Sequence, residues 1–323
     1  MIAASDTLTQ PTRQWLGIAL ALLGAAFFAT KGIFIKLALA VGIDALTTLT
    51  WRMIVAVPIF VTVGIVGYRR KRAELGSVPV LDRTMLLQVA GVGIMGYYIA
   101  SYLDFSALTY ITAQLDRLIL LTYPFFVVLF GAAFFKRKVT PLMIVSLLVS
   151  YAGIALIFAR DFALEGDNVV LGSLLVFGSA VVYAGYQILA KPLIDKLGAQ
   201  LFTSIAMSCA GPAVIAHFLL THPVGDLAID GHGLWLMLAV GLISTVLPAY
   251  CISGAIGLVG PERTAIIGNV SPVVTVGLAI SVLGEHFTIW HAAGTALVLF
   301  GVWLFGRKQK PKTAEVEAAE VEP

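Results

Sequence analysis

Residues Ala255–Gly306, AIGLVGPERTAIIGNVSPVVTVGLAISVLGEHFTIWHAAGTALVLFGVWLFG, read as two apolar helices around a short polar joint at Gly284-Glu285-His286. Slid back 148 positions without a gap, the stretch lies over Ala107–Phe158, ALTYITAQLDRLILLTYPFFVVLFGAAFFKRKVTPLMIVSLLVSYAGIALIF. Pro272 then falls on Pro124, Thr288 on Thr140 and Gly301 on Gly153. Residue identity between the copies is low. What they share is the spacing of proline, polar joint and glycine, the trace of a duplicated membrane fold.

Composition agrees with a membrane setting. Of 323 residues, 59% are hydrophobic and 12% charged, with a mean hydropathy of +0.95. A soluble domain carries about 25% charged residues. A helix of about 20 apolar residues crosses the hydrocarbon core. Ten such runs stand between polar breaks, at 15–40, 44–68, 84–104, 109–135, 139–158, 170–190, 198–220, 233–256, 261–283 and 287–306. The expected fold is therefore an all-α polytopic membrane protein with ten transmembrane helices. Its expected parts are a tail at 1–14, a first half at 15–158, a connector at 159–169, a second half at 170–306 and a disordered tail at 307–323. The first apolar run is too long for the core of a signal peptide and reads as a retained helix. Cys209 and Cys251 fall inside apolar runs and read as small buried thiols. No metal cluster, cofactor or nucleic-acid partner is expected.

Charge sets the orientation. With the N-terminus cytoplasmic, the inner flanks and loops hold Arg13, Arg69, Arg70, Lys71, Arg72, Arg83, Lys136, Arg137, Lys138, Lys191, Lys196, Arg263, Arg307, Lys308, Lys310 and Lys312. The outer side holds Arg160 alone. Short basic loops resist translocation, so both termini are expected in the cytoplasm. Five spans per half is an odd number, so the two halves must be inverted relative to each other. The basic joint Lys136-Arg137-Lys138 then lies inside and its counterpart Gly284-Glu285-His286 outside, which matches their charges.

Polar groups inside the apolar runs are the candidate site. A lysine near mid-bilayer costs about 2.5–3.5 kcal/mol on insertion scales and needs a partner or water. Lys31 meets that description and is expected to face a cavity. Lys36 either snorkels to the interface or points inward. Arg52 calls for a carboxylate or backbone carbonyls and reads as a structural ion-pair partner or a substrate contact. Tyr98, Ser101 and Tyr102 share a helical face, with Tyr98 the deeper. Asp116 and Arg117 are adjacent in an apolar run, as a self-compensating pair or a site that responds to substrate or protons. Tyr123, Tyr186, Gln187 and Asn269 complete the expected cavity set, and Pro124 and Pro272 are expected kinks or hinges.

Three pieces carry a family resemblance: Lys36 followed by Arg52, Ala107–Phe135, and SPVVTVGLAISVLGEHFTIWHAAGTALVLFGVWL at Ser271–Leu304. With them, residues 15–306 resemble the EamA-type transporters of the drug/metabolite transporter superfamily. The resemblance implies two inverted five-helix halves around a central cavity and movement of small metabolites across the inner membrane, often outward. The chain departs from the family's usual pattern at Phe28, at the basic joint Lys136–Lys138, and at Gln114, Asp116 and Arg117.

The expected function is secondary transport, outward, of amino acids or related amphipathic solutes, with protons as a candidate coupling ion. An intramembrane enzyme would need a nucleophile with its base, paired aspartates or metal-spaced ligands. No HExxH, GxSxG or GxGD motif is present, so no catalytic residue is expected. A scaffold or sensor is the other alternative, and the short tails offer it no output domain.

Overall fold

The computed structural model describes residues 10–75, 82–135, 141–165, 167–259, 264, 267 and 270–306. The described chain is helical, with no strand among these residues. The elements are α1 (Gln10–Ala40), α2 (Ala45–Leu75), α3 (Arg83–Gly93), a π segment (Ile94–Ile99), α4 (Ala100–Ala107), α5 (Ala113–Leu120), α6 (Tyr123–Phe135) and α7 (Pro141–Glu165). There follow α8 (Asp167–Leu197), α9 (Ala199–Thr221), a 3-10 turn (Val224–Leu227), α10 (Gly231–Leu238), a second π segment (Ala239–Val246), α11 (Leu247–Val259), α12 (Ser271–Leu283) and α13 (Ile289–Gly306). The joint Lys136–Lys138, Asn269 and both chain ends (1–9 and 307–323) lie outside the described residues.

Among the described residues, eight stretches are long and apolar enough to cross a membrane: Gln14–Ala40, Ala45–Arg69, Arg83–Ala107, Ala113–Phe134, Pro141–Arg160, Asn168–Leu197, Ala199–Thr221 and Gly231–Ile252. Ser271–Leu283 and Ile289–Leu304 are shorter apolar helices. The 13 residues of α12 reach about 20 Å at 1.5 Å per residue, less than the roughly 30 Å of a hydrocarbon core. Its counterpart α6 is also 13 residues long. α6 gains its span from α5, set before it with a break at Leu121-Thr122.

The 148-residue spacing recurs in the helix boundaries. Moved forward by 148, the ends of α6 become those of α12, and the first residue of α7 becomes the first of α13. The match extends upstream of the region that the sequence pattern reveals. Asp82 caps α3 by accepting from the Met85 amide at 2.6 Å, and Asp230 caps α10 by accepting from the Gly233 amide at 2.7 Å. These two caps are also 148 apart, and each helix they open runs into a π segment.

The leading helices correspond with a slightly different offset. α1 and α8 are each 31 residues long. Gly42 and Gly198 follow them at φ 84° and 82°, a region open to glycine at little cost. Asp44 then caps α2, accepting from the Leu46 and Thr47 amides at 2.8 and 3.0 Å. Burial pushes the Asp44 carboxyl up. The Thr47 hydroxyl, the Thr47 and Leu46 amides and the nearby His222 together outweigh that and hold it below its ordinary value.

Packing sorts the helices into an inner group and an outlying pair. α1 packs against α11 and α12, α2 against α9, and α8 against α4 and α6. α7 and α13 pair with each other more extensively than any other two elements. Their contact depends on glycine: a Cβ on Gly153 would stand 2.5 Å from the Gly294 carbonyl oxygen. The main apolar core gathers Ile35, Leu49, Met53, Phe60, Phe105 and Val214, each at most 1% exposed.

Candidate functional site

A cavity of about 550 Å³ lies among α1, α2, the first π segment, α4, α5, α6, α8, α11 and the chain around Ser271. Its size falls in the range of small-molecule pockets, roughly 300–1,000 Å³. From the chain before residue 160 it takes Ala21, Ala25, Phe28, Lys31, Arg52, Gly96, Tyr97, Ala100, Ser101, Asp104, Arg117, Leu120, Leu121 and Tyr123. From the remainder it takes Ser179, Tyr183, Gln187, Ile252, Thr264, Ser271 and Pro272.

Lys31 reaches across from α1 to α4 and donates to Asp104 Oδ2 at 2.6 Å. Asp104 is 2% exposed and its Oδ1 has no hydrogen-bond partner. The sequence reading missed Asp104. It is the last residue of the apolar run 84–104 and drew no reading there, but α4 continues to Ala107 and leaves it nearly a turn inside.

Arg52 is 7% exposed. Its partners are hydroxyls rather than the carboxylate or carbonyls expected from sequence. Nε donates to Thr245 Oγ1 and Nη1 to Ser101 Oγ, both at 3.0 Å. Thr245 Oγ1 donates onward at 2.9 Å to Val240 O, inside the second π segment. A π segment disrupts the usual i→i−4 ladder, and here a threonine joins one of its carbonyls to a cavity arginine.

Arg117 stands on α5, whose amino end is capped twice. Thr112 Oγ1 accepts from the Leu115 amide at 3.2 Å. Glu285 accepts from the Ala113 and Gln114 amides at 2.7 and 3.3 Å. A carboxylate suits the positive end of a helix dipole. Glu285→Ala is therefore expected to lower stability by about 1 kcal/mol, read as a drop in thermal midpoint, with Glu285→Gln losing less. Arg117 Nη2 donates to Ser271 Oγ. Its guanidinium lies 4.6 Å from the Phe28 ring centre, close enough for cation–π attraction.

Of the other expected cavity residues, Tyr123 and Gln187 line the space, as does Pro272. Tyr98 turns away and pairs its hydroxyl with His217 Nδ1 at 2.9 Å. Its neighbour Tyr97 takes the cavity position. The expectation assumed a constant 3.6-residue period, whereas Tyr97 and Tyr98 sit in a π segment that shifts the face. Tyr186 stands behind the wall, donating to Tyr97 Oη at 2.9 Å and stacking on Tyr183 at 5.5 Å between ring centres. Asp116 is buried beside the cavity with Oδ1 unpartnered.

Lys36 neither snorkels nor enters the cavity. Its Nζ donates to Leu108 O at 3.1 Å and Ile111 O at 2.9 Å, satisfying carbonyls where α4 gives way to α5. Pro124 and Pro272 each occupy the second position of a helix, α6 and α12. They were expected as kinks or hinges. Placed in a first turn, a proline removes an amide that lacks an intrahelical acceptor anyway.

Comparison with known proteins gives this fold its relatives. A solved crystal structure aligns with 95% of this chain and 99% of its own at a TM-score of 0.58 and 19% identity, a likeness of fold. The uncharacterized transporter YcbK of Bacillus subtilis (strain 168) is 28% identical over 291 residues, covering 86% of this chain and 89% of that one. The uncharacterized transporter sll1319 of Synechocystis sp. is 24% identical over 325 residues, covering 93% and 96%. The EamA-like transporter family model matches twice, at residues 15–159 and 170–307. Each match contains one of the two segments that the 148-residue spacing brings into register, and the chain belongs to the EamA-like transporter family, as a multi-pass membrane protein.

Proposed function

We propose that this protein is an inner-membrane secondary transporter that exports small amphipathic metabolites, amino acids or related solutes, by alternating access. The two moving parts are residues 15–158 and 170–306, five spans each, inserted with opposite orientation and with both termini in the cytoplasm. One observation carries the reading: segments whose helix boundaries coincide at a 148-residue spacing both contribute walls to a single cavity. Rocking one half against the other exposes such a cavity to each side in turn. Lys31, Arg117, Tyr123, Gln187 and Pro272 lie on it. Asp116, Tyr98, Tyr186 and Asn269 are assigned supporting roles. Lys36, Arg52 and Pro124 are assigned to holding or breaking the helices that carry these residues.

Counterflow in liposomes made with the purified full chain tests this. Preloaded amino acids and small metabolites are expected to exchange faster than in protein-free vesicles. A pH gradient is expected to change the rate if protons are the coupling ion. Failure to move any amino acid, amine or metabolite from a cytoplasmic extract would overturn the proposal.

A further inference from the structure

The cavity's charges do not balance. Its lining holds three cations, Lys31, Arg52 and Arg117, and one carboxylate, Asp104. Lys31 and Asp104 neutralise each other. Neither arginine forms an ion pair among the described residues. Counting buried Asp116 as an anion still leaves one positive charge in excess on the cavity wall, and the next carboxylate, Glu285, lies outside the lining and is spent on the Ala113 and Gln114 amides at the amino end of α5. Two phenyl rings bring the cations together: Phe28 lies beneath both Lys31 and Arg117, and Phe105 beneath both Lys31 and Arg52. Ring contact attracts each cation without neutralising it.

Arg117 also carries an unused donor. It is 9% exposed, and while Nη2 donates to Ser271, its Nε has no hydrogen-bond partner. A buried unsatisfied donor on a guanidinium costs well over that of a neutral group. A planar guanidinium is also the side chain best shaped to receive a carboxylate through two parallel hydrogen bonds.

We infer that the cavity selects solutes of net negative charge: small organic acids whose carboxylate is received by Arg117, with Arg52 supplying the excess positive field. The hydrocarbon or aromatic body of the acid then faces Tyr97, Tyr123 and Tyr183. A zwitterion leaves the excess positive charge in place and an amine adds to it, so both rank below the acid. This inference rests on the transporter reading and narrows its solute class.

Phenylpyruvate, phenylalanine and phenethylamine provide an anion, a zwitterion and a cation on one phenyl body. Each is measured for binding to the full chain in detergent, by thermal stabilisation, and for counterflow in liposomes. Phenylpyruvate is expected to bind about tenfold or more tightly than phenethylamine, with phenylalanine between them. Arg117→Gln is expected to weaken phenylpyruvate binding about tenfold or more, and Arg117→Lys to recover part of it. Equal or tighter binding of phenethylamine or phenylalanine by the unaltered chain overturns the inference, as does no binding of phenylpyruvate. Unchanged phenylpyruvate affinity in a folded Arg117→Gln protein also overturns it. If that variant does not fold, the ranking of the three probes on the unaltered protein decides. Binding of phenylpyruvate without exchange upholds the charge preference and counts against transport. Exchange of phenethylamine in preference to the acid does the reverse.

Discussion

Lys31→Met is expected to destabilise the protein by about 3 kcal/mol and to abolish solute exchange. The substitution keeps most of the side chain's length and apolar volume and removes the ammonium. Asp104 then remains 2% exposed on α4 with neither carboxylate oxygen bonded, because Lys31 is the partner of Oδ2 and Oδ1 has none. Removing one member of a buried pair costs about 3–5 kcal/mol, since an uncompensated charge stays behind. The cavity opening beside Lys31 admits some relief, which places the expectation at the lower end. The double variant Lys31→Met/Asp104→Asn is expected to regain most of the lost stability, because it leaves no buried charge. Thermal unfolding of the detergent-solubilised single and double variants checks the coupling. Equal losses in Lys31→Met and the double variant would show that an uncompensated Asp104 charge is not the source of the loss. Exchange should stay low in the double variant, since the cavity's charge pattern is changed even where the fold is restored.

Gly153→Leu is expected to cost at least 3 kcal/mol and to cut the yield of monodisperse protein. A Cβ at this position meets the Gly294 carbonyl oxygen at 2.5 Å and Leu297 Cβ at 2.9 Å. Gly294 is equally tight, with Ile157 Cγ1 at 2.5 Å and the Gly153 carbonyl oxygen at 2.6 Å. Two of these obstacles are backbone atoms, which cannot turn aside as a flexible side chain can. The added side chain must push α7 and α13 apart. Overpacking of this kind costs about 1–3 kcal/mol for a few methylenes, and a leucine against backbone exceeds that. Small residues at helix contacts allow the close approach on which membrane helix association depends. Gly91→Ala is the control: the added methyl has open space around it, and alanine is the better helix former by up to about 1 kcal/mol. Size-exclusion profiles and thermal midpoints of the two variants should differ sharply. Similar behaviour would mean that the α7–α13 contact does not need its glycines.

Much of the frame was legible in the sequence because its signals are local. Apolar run length marked the helical stretches, and proline, joint and glycine spacing marked the repeat between Ala107–Phe158 and Ala255–Gly306. The upstream caps Asp82 and Asp230 obey the same spacing, but a single aspartate per copy carries too little pattern to be noticed. Lys31 was legible as a cavity candidate because a cation in an apolar run demands an explanation. Its partner was not, since the pairing joins positions 73 residues apart. Helix phase failed at Tyr97 and Tyr98 for a different reason: no pattern in single residues announces a π segment.

The two copies also differ in a way that bears on specificity. At the 148-residue spacing Asp104 corresponds to Ile252, and both line the cavity. Asp116 corresponds to Thr264 and Arg117 to Ala265. The charged groups of the cavity lining therefore belong to one half, while the other supplies hydroxyl, amide and apolar groups.

The sequence by itself determined that this chain is a helical membrane protein built on a repeated segment, because hydropathy and turn chemistry act over a few residues at a time. It also determined which ionisable groups would be costly to bury. Only the tertiary structure decided which of those groups meet. Lys31 is answered by Asp104, and Arg52 by two hydroxyls. Lys36 is absorbed by the carbonyls between α4 and α5, and Arg117 keeps one donor free beside the cavity. Those outcomes depend on helix crossings and rotations that no local pattern encodes. They settle which intramembrane charges are consumed by the fold and which keep unused hydrogen-bonding capacity beside the cavity.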